Sequence, residues 1–202
     1  MTTNNQPLGE PSNLEELALL QPGDLVEIWM EHSYLVSTVY RCRERLDGLV
    51  TEWRWIFLDD GSLIEASPDG YYLYRDHVMI KQGTPLYEEM AARDGALVRF
   101  EGRVQDGTAG RSPVHVTIEE KEYRIASTGT LEFSKEGPGP ALIPWQQLST
   151  DPGANVYFGM VGVADEDEMV LGLWVSHISL SFGKPLRPEQ IANVFRNQPK
   201  GR

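Results

Sequence analysis

The sequence predicts a mainly β protein, built from antiparallel sheets or from two small barrel-like β modules with short peripheral helices. Short segments alternate apolar and polar residues, which is the period of a half-buried strand. These segments are rich in β-branched and aromatic residues and are separated by turn residues. The chain has 202 residues, of which 41% are hydrophobic and 9% aromatic, so it is long enough to bury a substantial core.

The clearest hairpin lies on either side of Asp60-Gly61. Residues 50–58 and 62–66 are both β-prone, and the sequence Asp-Gly lies between them. Because Gly and Asp tolerate positive φ angles, this dipeptide predicts a two-residue primed turn. The sequence therefore places a β-hairpin at the centre of the first half of the chain.

Further strands are predicted on both sides of this hairpin. In the first half they cover residues 26–30, 34–40 and 71–74. In the second half they cover residues 97–104, 114–118, 123–125 and 130–133. The longest apolar runs, residues 156–163 and 169–182, predict central strands that are buried on both faces.

Short helices are predicted at residues 14–20, 86–93 and 188–196. Asn13 followed by Glu16 is a capping pattern for the first helix. These elements divide the chain into a disordered tail over residues 1–12, an N-terminal β module over residues 13–93 and a C-terminal β module over residues 94–202. The alternative is that the two modules pack as one domain.

A short pattern occurs once in each half. Val26-x-Ile28, a turn and Tyr34-x-Val36 match Val116-x-Ile118, a turn and Tyr123-x-Ile125. The match has two interpretations: a duplicated β module, or two hairpins that follow the same physical rules.

Charge and cysteine content limit the environment and the partners. A net charge of −12 and a pI near 4.8 argue against a nucleic-acid or anionic-membrane partner, because phosphate binding needs clustered cations. Cys42 is the single cysteine, so an intramolecular disulfide is excluded. The sequence shows neither the pattern of a signal peptide nor an apolar run long enough to span a bilayer, so we expect a cytoplasmic protein.

Catalytic, metal and cofactor motifs are absent from the sequence. Cys42 is the one candidate nucleophile, but the four histidines lie in unrelated segments, so a structural thiol is the favoured interpretation. No Cys-x-x-Cys or His-x-His pair indicates a metal site, and the acidic run Asp165 to Glu168 lacks the spacing of a calcium loop. No glycine-rich phosphate-binding motif indicates a nucleotide cofactor.

Two groups of residues in the first half are candidate interaction sites. Arg41, Arg43 and Arg45 share one face of a strand, where they either pair with acids such as Glu52 and Glu65 or bind an acidic ligand. Trp53 and Trp55 share a face with Phe57, which suits either the core or an exposed aromatic platform.

Trp174 is the third candidate, in the apolar run of residues 169–182. The end of this run presents one apolar face that needs cover. The cover is either intramolecular, from residues 156–163 and the terminal helix, or a second copy of the chain in a symmetric dimer.

A family resemblance rests on short motifs in both halves. They are Gly23-Asp24-Leu25-Val26, Tyr34-x-Val36, Trp53 with Trp55, Leu58-Asp59-Asp60-Gly61, Tyr123-x-Ile125 and Ser181-Phe182-Gly183-Lys184-Pro185. In these motifs the chain resembles an uncharacterised bacterial family of β-rich domains of unknown function, sometimes encoded near membrane-stress genes. The resemblance implies a β-rich cytoplasmic protein, and it implies no activity because that family has no established catalytic residues to carry over.

The sequence therefore predicts a non-catalytic binding or scaffold protein, with a protein partner or self-association. The alternative is a small-molecule-binding β-barrel, and the third candidate is an enzyme without a recognisable motif. A closed barrel with an unfilled interior would favour a small ligand, whereas a filled core with an exposed apolar edge would favour a protein partner.

Overall fold

A computed structural model describes residues 13–28, 32–46, 48–139, 143–146, 148–149, 151 and 154–197. The predicted tail over residues 1–12 lies outside this part of the chain. The helices are α1 (Asn13–Leu17), α2 (Pro85–Ala91), α3 (Ala96–Gln105) and α4 (Ile143–Gln146), and Pro188–Gln190 is a 3₁₀ turn. The strands are β1 (Leu25–Ile28), β2 (Ser33–Leu46), β3 (Leu49–Leu58), β4 (Leu63–Ser67), β5 (Gly70–Ile80), β6 (His115–Ile118), β7 (Lys121–Glu136), β8 (Asn155–Gly162), β9 (Met169–Trp174), β10 (Ile178–Pro185) and β11 (Ile191–Phe195).

Eight of these strands close into one antiparallel barrel, in the order β2-β3-β4-β5-β10-β9-β8-β7. The last step of the closure pairs Val39–Arg43 of β2 with Glu132–Glu136 of β7. β1 and β11 extend the sheet beside the first part of β2, and β6 extends it beside β7. The mainly β, antiparallel class predicted from the sequence is confirmed, and strands from both halves form the same barrel.

The pattern that occurs twice in the sequence marks equivalent strand pairs of the two halves. Val26 of β1 lies opposite Tyr34 of β2, and Val116 of β6 lies opposite Tyr123 of β7. Each long strand then has a bulge three residues later, at Ser37 in β2 and at Ala126 in β7. The two halves therefore share local geometry as well as sequence.

Alternation along the strands divides the apolar residues between the inside and the outside of the barrel. In β3, Trp53, Trp55 and Phe57 point inward, and Ile56 and Leu58 point outward. One outer cluster lies under α1 and β11, and another lies under α2 and α3. The barrel is therefore a layer with apolar residues on both faces, which explains the near-continuous apolar runs of β8 and β9.

Residues 97–104 form helix α3, so the predicted strand there is wrong. Leu97 and Phe100 are three residues apart and both are buried, whereas Val98 and Val104 are exposed. This spacing fits one face of a helix, because a strand would place Val98 and Phe100 on the same side. The helix begins after Gly95, where a Cβ atom would overlap the backbone of Met90.

The predicted terminal helix over residues 188–196 is also wrong. Only Pro188–Gln190 is helical, and β11 follows it and pairs with β1. Residues 191–195 form a strand because the backbone groups at the edge of β1 need hydrogen-bond partners. The β-branched side chains of this segment also suit a strand. The Asn193 side chain donates a hydrogen bond to Glu27 Oε2 at 2.6 Å, which supports this pairing.

The other predicted helices are present in shorter form, and one predicted strand is divided. α1 ends at Leu17, before the predicted end at residue 20, and α2 covers Pro85–Ala91 of the predicted 86–93. The run of residues 169–182 contains two strands, β9 and β10, which pair with each other as a hairpin.

The β3–β4 hairpin is present, but its turn differs from the predicted two-residue form. Leu58 N donates to Ser62 O at 2.9 Å, and Gly61 N donates to Leu58 O at 3.1 Å. Gly61 has a φ of 90°, whereas Asp60 is not among the residues with positive φ. This is the three-residue loop in which glycine takes the left-handed position.

We expect Gly61→Val to lower the free energy of unfolding by more than ~1 kcal/mol, because a β-branched residue resists positive φ. A Cβ at this position would have no atom within 4 Å, so steric overlap does not contribute. Gly61→Asn is the matched control, since Asn tolerates this conformation, and it should cost less. Equal urea midpoints for the two variants would contradict the assigned turn.

Candidate functional site

The barrel interior contains a cavity of about 310 Å³ at one end. We name it the end cavity. Its rim includes the β4–β5 turn around Pro68 and Asp69, the exposed residue Thr51 on β3 and the exposed residue Ser127 on β7. Its wall includes five aromatic side chains, Trp53, Trp55, Tyr72, Tyr74 and Tyr157.

Glu65 lies in the middle of this aromatic wall. In the antiparallel register, Trp55 of β3 is opposite Glu65 of β4, and Tyr72 of β5 is opposite Glu65 on its other side. Trp55 Nε1 donates a hydrogen bond to Glu65 Oε2 at 3.2 Å, and Tyr74 OH donates to the same oxygen at 3.4 Å. Two neutral donors thus hold one oxygen of a carboxyl group inside the barrel.

Burial raises the pKa of Glu65 to about 7. The hydrogen bonds from Trp55 and Tyr74 act in the opposite direction and lower the pKa, and the charge of Asp69 raises it further. The Glu65 carboxyl group therefore changes between its neutral and charged forms near neutral pH. Either form can accept hydrogen bonds from a bound molecule, and the charged form can also pair with a cation.

A second carboxyl group lies near the end cavity on β2. Tyr157 OH donates a hydrogen bond to Glu44 Oε2 at 2.9 Å. The Glu44 side chain passes over Gly129, where a Cβ atom would overlap the carboxylate. Burial raises the pKa of Tyr157, and the hydrogen bond to Glu44 raises it as well, so the phenol stays a neutral donor.

The opposite end of the barrel is filled by Trp145 from α4. Its ring centroid lies 4.9 Å from that of Trp55, 4.7 Å from that of Phe57 and 5.9 Å from that of Tyr40. Tyr40 OH donates to the backbone oxygen of Trp145 at 3.3 Å. Trp145 is buried, and a second cavity of about 510 Å³ lies beside it, lined by Tyr40 and Phe133 among others.

The three predicted arginines lie on the outer face of the barrel, each beside a carboxylate. Arg43 pairs with Glu52 at 2.6 Å, as one interpretation expected. Arg41 pairs with Glu136 at 2.8 Å, and Arg45 lies 3.9 Å from Glu132. The other expected partner, Glu65, is on the inside of the barrel and contacts none of these arginines, so that part of the prediction is wrong.

The predicted aromatic residues lie in different places. Trp53 and Trp55 are buried inside the barrel and line the end cavity. Trp174 is half-buried on the outer face, where its Nε1 donates to Tyr87 OH of α2 at 3.3 Å. The cover of this face therefore comes from α2 and α3, and the expected terminal helix has no part in it.

Cys42 lies in the barrel wall and is 2% exposed. Burial raises the pKa of its thiol well above the ordinary value, and the charge of Glu65 raises it further. Among the described residues, no three His, Cys, Asp or Glu side chains converge on a possible metal position. None of the helices in the described ranges has the length and apolarity that crossing a bilayer requires.

Sequence patterns alone do not identify Glu65, Tyr72, Tyr74 and Tyr157 as site residues. The two-residue turn predicted at Asp60-Gly61 would pair Glu65 with Ile56 on the outer face, so it does not identify Glu65 as a site residue. The observed three-residue loop shifts the register by one residue, and with the tight turn at Pro68-Asp69 it places Trp55, Glu65 and Tyr72 in one row. Tyr157 could not be found in this way, because β8 reaches the cavity only through closure of the barrel.

The chain matches no protein-family model, no curated protein and no solved structure in comparisons with known proteins. The resemblance to an uncharacterised bacterial family therefore stays a prediction, and the function is argued from the site alone.

We expect the free energy of unfolding to depend on pH through Glu65. The folded protein keeps a proton on Glu65 up to a pKa of about 7, whereas the unfolded chain loses it near 4.5. This contribution to stability is present below that lower pKa and is lost as the pH rises through the folded pKa. Glu65→Gln, which does not titrate, should gain roughly 3 kcal/mol relative to wild type between about pH 5 and about pH 8.

Urea unfolding at both pH values measures this difference, and Glu52→Gln is the control. Glu52 is an exposed acid on β3, so its substitution removes the same charge without affecting the interior. A stability difference between Glu65→Gln and wild type that stays constant across this range would show that Glu65 does not titrate as described.

Proposed function

We propose that this protein is a non-catalytic binding protein that holds a small molecule in the end cavity of its barrel. The single observation that carries the proposal is an aromatic cavity of about 310 Å³ with one enclosed carboxyl group in its wall. Such cavities, apolar with a few placed polar groups, are the usual form of small-molecule sites.

The construction of the barrel supports this proposal. Trp145 packs against Trp55 and Phe57 in the interior, and at the opposite end a cavity of about 310 Å³ remains beside Glu65. Burying a carboxyl group costs free energy unless it is fully hydrogen-bonded. The described donors occupy one oxygen of Glu65, and a carboxyl group has acceptor positions for more. A bound molecule with a donor group would satisfy them.

A test is to fill the end cavity from its rim. Ser127 is exposed at the rim on β7, so Ser127→Phe should place a ring in the opening without disturbing the buried core. Thr130→Phe is the matched control, because Thr130 is also exposed on β7 and does not line the cavity. We expect benzyl alcohol, indole, benzylamine or choline to bind wild type and Thr130→Phe, and to lose binding to Ser127→Phe.

Saturation-transfer NMR and shifts of the Trp55 indole N–H resonance measure the occupancy of the cavity. Binding of one of these compounds that disappears in Ser127→Phe alone supports the proposal. If none of them binds wild type, or if Ser127→Phe binds them as well as wild type does, the end cavity is not the site.

We propose, as a second function, self-association through the edge of the sheet at β11. β11 pairs with β1 on one side, and its other edge pairs with no described strand. Leu25 lies directly opposite Phe195 and Leu35, and these three side chains are 38%, 50% and 41% exposed. This apolar row beside an edge that pairs with no described strand is the type of surface that pairs with another chain.

On this second proposal, the sedimentation coefficient of wild type should rise with protein concentration, and Leu25→Lys should remove this dependence. Trp174→Ala is the control, because Trp174 is covered by α2 on another face of the barrel. A coefficient that does not change with concentration in wild type would contradict self-association.

A further inference from the structure

We propose that the ligand of the end cavity is an organic ammonium ion, whose charged nitrogen lies beside Glu65 and whose carbon substituents contact the aromatic rings. This inference rests on the function proposed above and specifies the chemical class of the ligand.

The charge of the cavity wall favours a cation. Among the described residues that line the cavity, the charged side chains are Glu65 and Asp69, and Lys, Arg and His do not occur there. The whole chain carries a net charge of −12, which also attracts cations. An anionic ligand would have to approach two carboxyl groups with no positive partner in the wall.

Among the described residues that line the cavity, none supplies a counter-ion for the charged form of Glu65. Both described donors, Trp55 Nε1 and Tyr74 OH, are neutral, and they bind the same oxygen at 3.2 Å and 3.4 Å. A buried carboxylate is stable only when it is paired or fully hydrogen-bonded. An ammonium group in the cavity would supply the missing charge, and this role is not filled by any described lining residue.

The aromatic rings provide the second contact that an organic ammonium ion needs. The ring centroids of Trp53 and Trp55 are 5.8 Å apart, and that of Tyr157 lies 5.2 Å from Trp53 and 6.4 Å from Trp55. The Tyr72 and Tyr74 centroids are 6.4 Å apart on β5, the strand beside Glu65 of β4. Rings gathered around a carboxylate bind ammonium ions through the negative face of the π system.

Pairs of probes with the same shape and different charge test this inference. Choline is compared with 3,3-dimethylbutan-1-ol, which replaces the charged nitrogen by carbon, and benzylamine is compared with benzyl alcohol. Isothermal titration measures the dissociation constants with wild type, Glu65→Gln and Glu52→Gln. The last variant is the matched control, because it removes one negative charge from the outside of the barrel.

We expect wild type and Glu52→Gln to bind at least one ammonium probe about tenfold or more tightly than its neutral partner. Glu65→Gln should lose this preference and bind both members of the pair equally. Unchanged near-ultraviolet circular dichroism of Glu65→Gln would show that its aromatic interior is still folded.

Three results would overturn the inference. If the neutral probe binds wild type as tightly as its ammonium partner, the cavity takes uncharged ligands and the proposed binding function stands. If the preference persists in Glu65→Gln, the charge is recognised elsewhere. If neither ammonium probe binds wild type, the ligand is not of this class, and the proposed function is then decided by the loss or persistence of indole and benzyl alcohol binding in Ser127→Phe.

Discussion

The structure depends on the pairing of β2 with β7, because this contact closes the sheet. Without it, the strands would form an open sheet with no enclosed interior, and the rings of β3 and β8 would not meet. The arginines of β2 lie along this seam, where Arg41 and Arg45 face Glu136 and Glu132 of β7. Exposed ion pairs contribute little stability, but opposite charges at fixed positions oppose a shift in register. The arginine row of β2 therefore belongs to the pair of strands that closes the barrel.

Local sequence patterns predict the hairpins and their faces, because short loops fix the register and the side-chain period is two. This reasoning places Trp53 and Trp55 on one face without any structure. It misplaces Glu65, because the predicted two-residue turn pairs Glu65 with Ile56, whereas the observed three-residue loop pairs it with Trp55. It fails at closure, since β5 with β10 and β2 with β7 join strands about a hundred residues apart and no local pattern encodes them. The choice between one barrel and two small modules therefore stayed open, and so did the cavity that closure creates.

The predictions for residues 97–104 and 188–196 are wrong for a different reason. Leu97 with Phe100, and Ile191 with Val194, are each three residues apart, which is a helical spacing, and β11 accommodates it through a bulge at Ala192 opposite β1. The surroundings decide the outcome. Residues 96–105 pack on the apolar outer face of the barrel as a helix, whereas residues 191–195 lie beside the free edge of β1 and complete its hydrogen bonds. The intrinsic preference of a short segment for helix or strand is weak, so the surface or strand edge that it packs against can override it.

The two halves share a frame but differ where the end cavity lies. When the two halves are aligned on the bulges of β2 and β7, Trp55 corresponds to Tyr157. Across the next two strands, Trp55 is followed by Glu65 and Tyr72 in the first half. In the second half Tyr157 is followed by Leu173 and Ser179. Leu173 therefore occupies the position in the second half that Glu65 occupies in the first. Since an apolar side chain is sufficient for the barrel there, the enclosed carboxyl group is a cost that the fold does not require. The ends also differ, because the long β7–β8 connection carries Trp145 into the interior at the end opposite the end cavity. The difference between the halves thus places a carboxyl group in the wall of the end cavity, and the proposed binding function rests on this arrangement.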